Sequence, residues 1–284
     1  ELREHDSFKI NEETSFWHWK SRDVGGKSAL DYLVKVEGVK FVDAVLALCE
    51  KSPSYIPPPS QPEQKKEFAL SPAAANNRRV FAYLMKRGIS RKVIEACVRA
   101  EILYESADYH NAVFVGKDET GTARYAFLRG TYTKGKPFKA EVSGSEKQYC
   151  FCLPPKGKTN RLAVYEAAIE TLAHLTLEGS ADKWRLSLGG ISAPKDGEPS
   201  RSFSFKKPLA LESFLGRHPE IEELEICTNN DFAGRWAATC LEKAYQGRYR
   251  IVKNLPEKEG CDYADLTKER YEKQAARQRA TCSR

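Results

Sequence analysis

Apolar residues in the second half of the chain come in short runs separated by longer amphipathic stretches. Leu162-Ala163-Val164-Tyr165, Arg185-Leu186-Ser187-Leu188, Leu224-Glu225-Ile226-Cys227-Thr228 and Tyr249-Arg250-Ile251-Val252 have the length and apolar content of strands. Between them, Ala167 to Leu177, Leu209 to Leu215 and Phe232 to Tyr245 repeat with helical periodicity. Asp231 is placed to cap the third helix, and Gly247 lies past its end. Strand-helix alternation predicts an α/β domain over 156–284, with a mostly parallel four-stranded sheet, flanking helices and a charged C-terminal helix.

The first half reads differently. Phe16 to Lys20 is an aromatic strand with a turn at Gly25-Gly26, followed by helices from Ser28 to Val36 and Phe41 to Cys49. This gives a small unit over 1–51. The prolines of Ser52-Pro53-Ser54-Tyr55-Ile56-Pro57-Pro58-Pro59 predict an extended linker over 52–77. Residues 78–155 predict two helices, Val80 to Lys86 and Ser90 to Val98. A hairpin of Ala112 to Gly116 with Ala123 to Leu128 follows, making a basic, mixed α+β domain.

Composition narrows the class. With 41% hydrophobic residues among 284, the chain has enough apolar content for a core. No apolar run is long enough for a membrane span, and the polar start Glu1-Leu2-Arg3-Glu4-His5-Asp6 lacks a signal segment. The eight cysteines include no C-x-x-C pair, so a reduced, cytoplasmic protein without zinc is expected; the abrupt start leads us to expect residues upstream. The net charge is +7, with a basic excess between Lys117 and Arg161 that favours polyanionic partners.

In an open parallel sheet, functional groups gather beyond the carboxyl ends of the strands. Glu166 follows the first strand of the α/β domain, Asn229-Asn230-Asp231 the third, and Asp262 and Asp265 the fourth. Glu170 lies one helical turn after Glu166. Carboxylates sharing one rim repel unless a cation sits among them, and oxygen-only donors suit Mg²⁺ or Mn²⁺. Taken singly, Asp231 is a helix cap and Glu166 a surface acid; three acidic loops at one edge favour a metal site.

These segments resemble the Toprim domain. Val164-Tyr165-Glu166-Ala167-Ala168-Ile169-Glu170 resembles its strand followed by E-G-x-x-D. Ile226 to Arg235 resembles D-x-D-x-A-G-R, and Gly260-Cys261-Asp262-Tyr263-Ala264-Asp265-Leu266 resembles the K-D-x-N-D-L element of primase-type Toprim domains. Phe114 to Gly121 with Tyr125 to Gly130 resembles the segment before Toprim in bacterial replicative primases, and also the domain that precedes Toprim in proteins of mobile and conjugative elements. Residues 1–51 resemble a primase zinc ribbon without its ligands, Trp19 and Arg22 standing where paired cysteines belong.

The resemblance implies metal-dependent nucleotidyl transfer, primer synthesis on single-stranded DNA. Glu166, Asp231 and Asp262 are its expected catalytic residues, and with Asn229 its metal ligands; Glu170 and Asp265 are supporting acids. Arg129, Lys134, Lys136, Lys139 and Lys147 are expected to hold nucleotide or template phosphates. Trp17 and Trp19 share a strand face and are candidates for base stacking, against the plainer reading as core. A replicative helicase or a relaxase is the implied partner. Asn229 replaces an aspartate of the motif, Ala167 a glycine, Glu170 an aspartate and Cys261 a lysine. These departures keep two alternatives open: a Toprim-type nuclease, and a DNA-binding accessory protein with a decayed site.

Overall fold

A computed structural model describes residues 7–51, 67–133, 135–194 and 205–282. Glu1 to Asp6, Lys134 and most of the expected proline linker lie outside the described residues. The chain divides into two compact units, 1–64 and 65–284.

In the first unit, β1 (Phe8–Ile10), β2 (Trp17–Trp19) and β3 (Val24–Gly26) form an antiparallel sheet, followed by α1 (Ala29–Lys35) and α2 (Phe41–Lys51). Ser28 caps α1, accepting the Asp31 N–H. Alternation along β2 turns both indoles inward and His18 outward. Trp17 and Trp19, each 4% exposed, pack on Phe8, and the Trp17 Nε1–H donates to the Ser28 carbonyl at 3.0 Å. Base stacking needs an open indole face, so the expectation for these two is corrected: they are the core of this unit.

The second unit begins with α3 (Arg78–Lys86) and α4 (Arg91–Arg99). An antiparallel sheet follows in the order β4 (Leu103–Glu105), β5 (Ala112–Lys117), β6 (Ala123–Arg129), β7 (Lys139–Glu141). Next come β8 (Cys152–Leu153), β9 (Arg161–Tyr165), α5 (Ala168–Glu178), β10 (Trp184–Ser187), α6 (Leu209–Arg217), β11 (Glu223–Ile226), α7 (Phe232–Tyr245), β12 (Arg250–Lys253) and α8 (Tyr263–Cys282). The second sheet has the order β12-β11-β9-β10-β8. Its first four strands are parallel, as the alternation predicts; β8 pairs antiparallel to β10 as a fifth strand.

Period-two alternation divides β9 between two cores. Leu162 and Val164 face α6 and α7, whereas Ala163 and Tyr165 face α5 and α8. The second of these cores continues without a break into Val80, Leu84, Phe114 and Phe151. The boundary expected at 155/156 therefore runs through one core. The composition shift there marks a basic surface and does not mark a break in packing. Residues 67–77 likewise belong to this unit: Phe68 packs on Val113 and Val115, and Ala73 bridges Ser106. Among the described residues, no helix is long and apolar enough to cross a membrane.

Candidate functional site

The strand order reverses at β9: the chain steps from β9 to β10 on one side, then to β11 on the other. A switch point of this kind opens a crevice at the carboxyl ends of β9 and β11. Glu166 stands directly after β9, and Asn229 to Asp231 follow β11. The Glu166 Oε1 accepts the Asn229 backbone N–H at 3.0 Å, so the two loops are joined through the acid itself.

Each remaining acid sits at the start of a helix. Asp231 caps α7, its Oδ1 accepting the Gly234 N–H at 2.7 Å. Asp262 caps α8 reciprocally with Asp265: its Oδ1 accepts the Asp265 N–H at 2.7 Å, and Asp265 Oδ2 accepts the Asp262 N–H at 3.3 Å. Glu170, buried at 4% exposure, takes the N–H groups of Glu166 and Ala167 at 3.1 and 3.2 Å on one oxygen, capping α5 from within. Helix N-termini favour negative charge, so four acids at three of them are held where the backbone supports them. Gly234 has a specific reason: a Cβ there would fall 2.0 Å from the Asn229 carbonyl, so only glycine lets α7 start this close to the loop.

The capping and site readings of these acids are compatible. Glu166 and Asp231 each brace one backbone N–H with one oxygen, and the Asp262 carboxylate takes backbone N–H groups of the first turn of α8. Their fields overlap. Burial pushes the Glu166 carboxyl up, the Asn229 N–H pulls it down, and the charges of Asp231 and Asp262 push it up again. Asp262 is raised chiefly by burial, with the Asp265 charge adding and Arg87 opposing. Glu170 is raised well above its ordinary range by burial, then by Glu166 and Asp262. Hard carboxylate oxygens with uncompensated repulsion fit a divalent cation. The rim is open, since Glu166, Asp231 and Asp262 do not bring three donor atoms within 4.8 Å of one another. An ion there would retain water or phosphate oxygens, as Mg²⁺ ordinarily does.

One set among the described residues does converge within that distance: His174, Glu225 and Cys227, all buried. Its carboxylate is already occupied. Glu225 accepts from Lys183 Nζ at 2.5 Å and from Asn254 Nδ2 at 2.6 Å. Lys183 is only 3% exposed, and its ammonium supplies the positive charge a cation would bring. This cluster is an ion-paired network and not an open metal site.

Beside the acidic rim lies a cavity of about 330 Å³ lined by Tyr83, Lys86, Arg87, Arg129, Tyr132, Asp265 and Lys268, with Gly130, Thr133, Gly135 and Pro137 completing it. Tyr83 organises its base. The Arg129 Nε–H donates to the Tyr83 hydroxyl at 3.0 Å, and the Arg87 guanidinium lies over the same ring at 5.0 Å. Lys139 pairs across the sheet with Arg129, and the exposed Lys136 lies between two residues of the cavity wall. Lys147 points to solvent and pairs with Glu141 at 3.5 Å. Lys134 is outside the described residues. Lys86, Arg87 and Lys268 have no counterpart in the sequence-based expectations. Their signal is weak: they are basic residues in or just past helices far from the basic run, brought in by packing. Gly88 fixes that packing; at φ +80° it passes 2.2 Å, as a notional Cβ, from the Thr267 carbonyl of α8. Its left-handed turn thus sets Arg87 against the start of that helix.

Residues 82–158 match a family described as "Protein of unknown function (DUF3991)". No curated protein sequence matches the chain. Among solved structures, the chain is similar to the Aquifex aeolicus primase, zinc-binding and RNA polymerase domains, at 15% identity over 95% of this chain and 74% of that one, with a TM-score of 0.43. It is similar to the primase fragment of the bacteriophage T7 primase-helicase protein at 17% identity, covering 96% and 93%, with a TM-score of 0.46. It is also similar to the E. coli primase catalytic core at 17% identity, covering 68% and 69%, with a TM-score of 0.42.

Proposed function

We propose that this chain is a Toprim protein of the primase-like type, carrying out metal-dependent nucleotidyl transfer on single-stranded DNA. The observation that carries this reading is the juxtaposition of the acidic rim with the basic cavity, joined where Asp265 lines the cavity and caps with Asp262, and where Arg87 acts on Asp262. A cation held by Glu166, Asp231 and Asp262, with the Asn229 carbonyl available as a neutral ligand, would polarise a phosphoryl group when bound. Arg87, Arg129 and Lys268 neutralise the phosphates of a nucleotide in the cavity, and Lys136, Lys139 and Lys147 extend the same charge toward a template strand. Glu166 has one oxygen left for either of two roles, ligand of the cation or, raised by burial, general base toward the attacking hydroxyl.

The test is template-dependent incorporation of labelled ribonucleotides with Mg²⁺ or Mn²⁺, beside Glu166→Gln. Incorporation that the variant abolishes supports the reading; none by the parent chain, or equal incorporation by both, rejects it. The neutral Asn229 in place of an aspartate favours one alternative, a nucleic-acid-binding accessory protein with a decayed centre. That alternative expects salt-sensitive binding of single-stranded DNA indifferent to Mg²⁺ and to Asp231→Ala.

A further inference from the structure

The segments that carry the acids meet a second time, behind them. Tyr165 precedes Glu166, Cys227 lies two residues before Asn229, and Tyr263 follows Asp262. All three side chains turn away from the rim into the core covered by α5 and α8. There they surround one imidazole, His174 of α5, which is 4% exposed. Its Nδ1 lies 2.8 Å from the Tyr165 hydroxyl. Its ring stacks on Tyr263 with centroids 3.9 Å apart and planes 20° from parallel. Cys227 Sγ is within 4.8 Å of one of its ring nitrogens. Tyr263 is itself anchored, donating to the Asn254 carbonyl at 2.7 Å just after β12.

Burying an imidazole costs desolvation, which its polar partners at both ring nitrogens must offset. Burial lowers the His174 pKa to about 4, so the ring is neutral near pH 7. A neutral ring donates from one nitrogen and accepts at the other. Its Nε2 faces the Glu178 carboxylate at 3.5 Å, which assigns the proton to Nε2. Nδ1 then accepts from the Tyr165 hydroxyl. The imidazole thus makes a directional bond to the end of β9 and a planar contact with the start of α8, two segments that do not adjoin in the sheet.

We propose that His174 is a positioning residue of the acidic rim: by holding Tyr165 against Tyr263 it sets the spacing of the Glu166 and Asp262 carboxylates for a divalent cation. The role rests on the cation-site reading above. Adjacent Cα atoms are about 3.8 Å apart, so a shift of either tyrosine backbone passes directly to the neighbouring acid. Lys183, Arg185 and Glu225, all buried, and the more exposed Glu178 form an ionic network beneath His174 that fixes its far side. Arg185 pairs with Glu178, and Lys183 with both acids.

The experiment is Mn²⁺ titration of the full chain by calorimetry, with thermal unfolding of each variant measured without metal. His174→Phe keeps the stack and removes the nitrogen; Tyr165→Phe removes only the hydroxyl; His174→Asn keeps a polar atom near the position of Nδ1. We expect His174→Phe and Tyr165→Phe each to weaken Mn²⁺ binding about tenfold, the double variant to be no worse than either, and His174→Asn to recover most of the loss. Leu172→Ala, a fully buried change on the same helix, loses stability and leaves Mn²⁺ affinity unchanged. Mn²⁺ binding that depends on Glu166 but is unaffected by both His174→Phe and Tyr165→Phe overturns the positioning role alone. Binding indifferent to Glu166→Gln overturns the cation site, and this role with it.

Discussion

Glu166 and Asn229 are joined across the switch point of the sheet, the carboxylate of one accepting the backbone N–H of the other at 3.0 Å. The bond ties the carboxyl end of β9 to that of β11 and uses only one carboxylate oxygen. The same side chain thus ties the two loops together with one oxygen and leaves the other for a ligand.

This division of labour separates two substitutions at Glu166. Glu166→Gln retains an oxygen for the Asn229 N–H and removes the charge that Asp231 and Asp262 oppose. It should raise the melting temperature of the metal-free chain while weakening Mn²⁺ binding by an order of magnitude or more. Glu166→Ala should lose the bond as well and fall below Glu166→Gln by about 1 kcal/mol in urea denaturation. Equal melting temperatures and Mn²⁺ affinities for the parent chain and Glu166→Gln would refute both halves.

The sign of the pH effect follows from the raised pKa. A carboxyl raised on folding binds more protons in the folded than in the unfolded chain, between its ordinary and its raised value. The stability of the parent chain relative to Glu166→Gln therefore falls as pH rises through that interval, and saturating Mn²⁺ removes the fall. Paired urea titrations from pH 4.5 to 7.5, with and without Mn²⁺, test this; a difference that grows with pH contradicts it.

His174 titrates with the opposite sense. Its pKa drops from 6.5 to about 4 on folding, so the unfolded chain takes up the proton first as pH falls. Relative to His174→Phe, the parent chain should lose about 3 kcal/mol of stability between pH 6.5 and 4. A pH-independent difference between the two would show that the imidazole is not held neutral.

Asn229→Asp restores a charge at the rim. Mn²⁺ binding should tighten about tenfold, and metal-free stability should drop through added repulsion with Glu166 and Asp231. Calorimetry and metal-free melting together decide the matter; unchanged affinity would mean that this position does not face the ion.

Arg87→Ala should weaken binding of a non-hydrolysable nucleoside triphosphate roughly tenfold and reduce its salt dependence, while Mn²⁺ affinity does not fall, since a positive charge beside Asp262 is removed. Fluorescence titration at two salt concentrations reads both; wild-type affinity in the variant would remove Arg87 from the cavity's function.

The sequence reveals the parallel sheet because its strands are short runs rich in apolar residues set between amphipathic helices, a pattern that burial on both faces dictates in β9, β10 and β11. The acids after β9, β11 and β12 are legible for the same reason, since strand ends can be read wherever strands can. Around β8, Cys150 and Cys152 alternate with Phe151 between the two cores, but two strand residues do not say which neighbour they pair with; β10 supplies that. Arg87 and Lys268 reach the cavity through the contact of Gly88 with Thr267, a tertiary approach that no local pattern encodes. His174 did leave a trace, a polar ring in the apolar stretch Leu172-Ala173-His174-Leu175, but its partners arrive from distant strands and helices.

The two residues of β8 have a consequence larger than their length. A fragment beginning at residue 156 would leave β10 as a bare edge, with unpaired N–H and C=O groups beside Trp184 and Leu186, and would strip Leu84, Phe114 and Phe151 from the shared core. Exposed edges of that kind recruit other strands, so such a fragment is expected to self-associate into aggregates. The acid-bearing sheet and the basic segment before it thus share one core, and neither is expected to keep its fold when cut from the other.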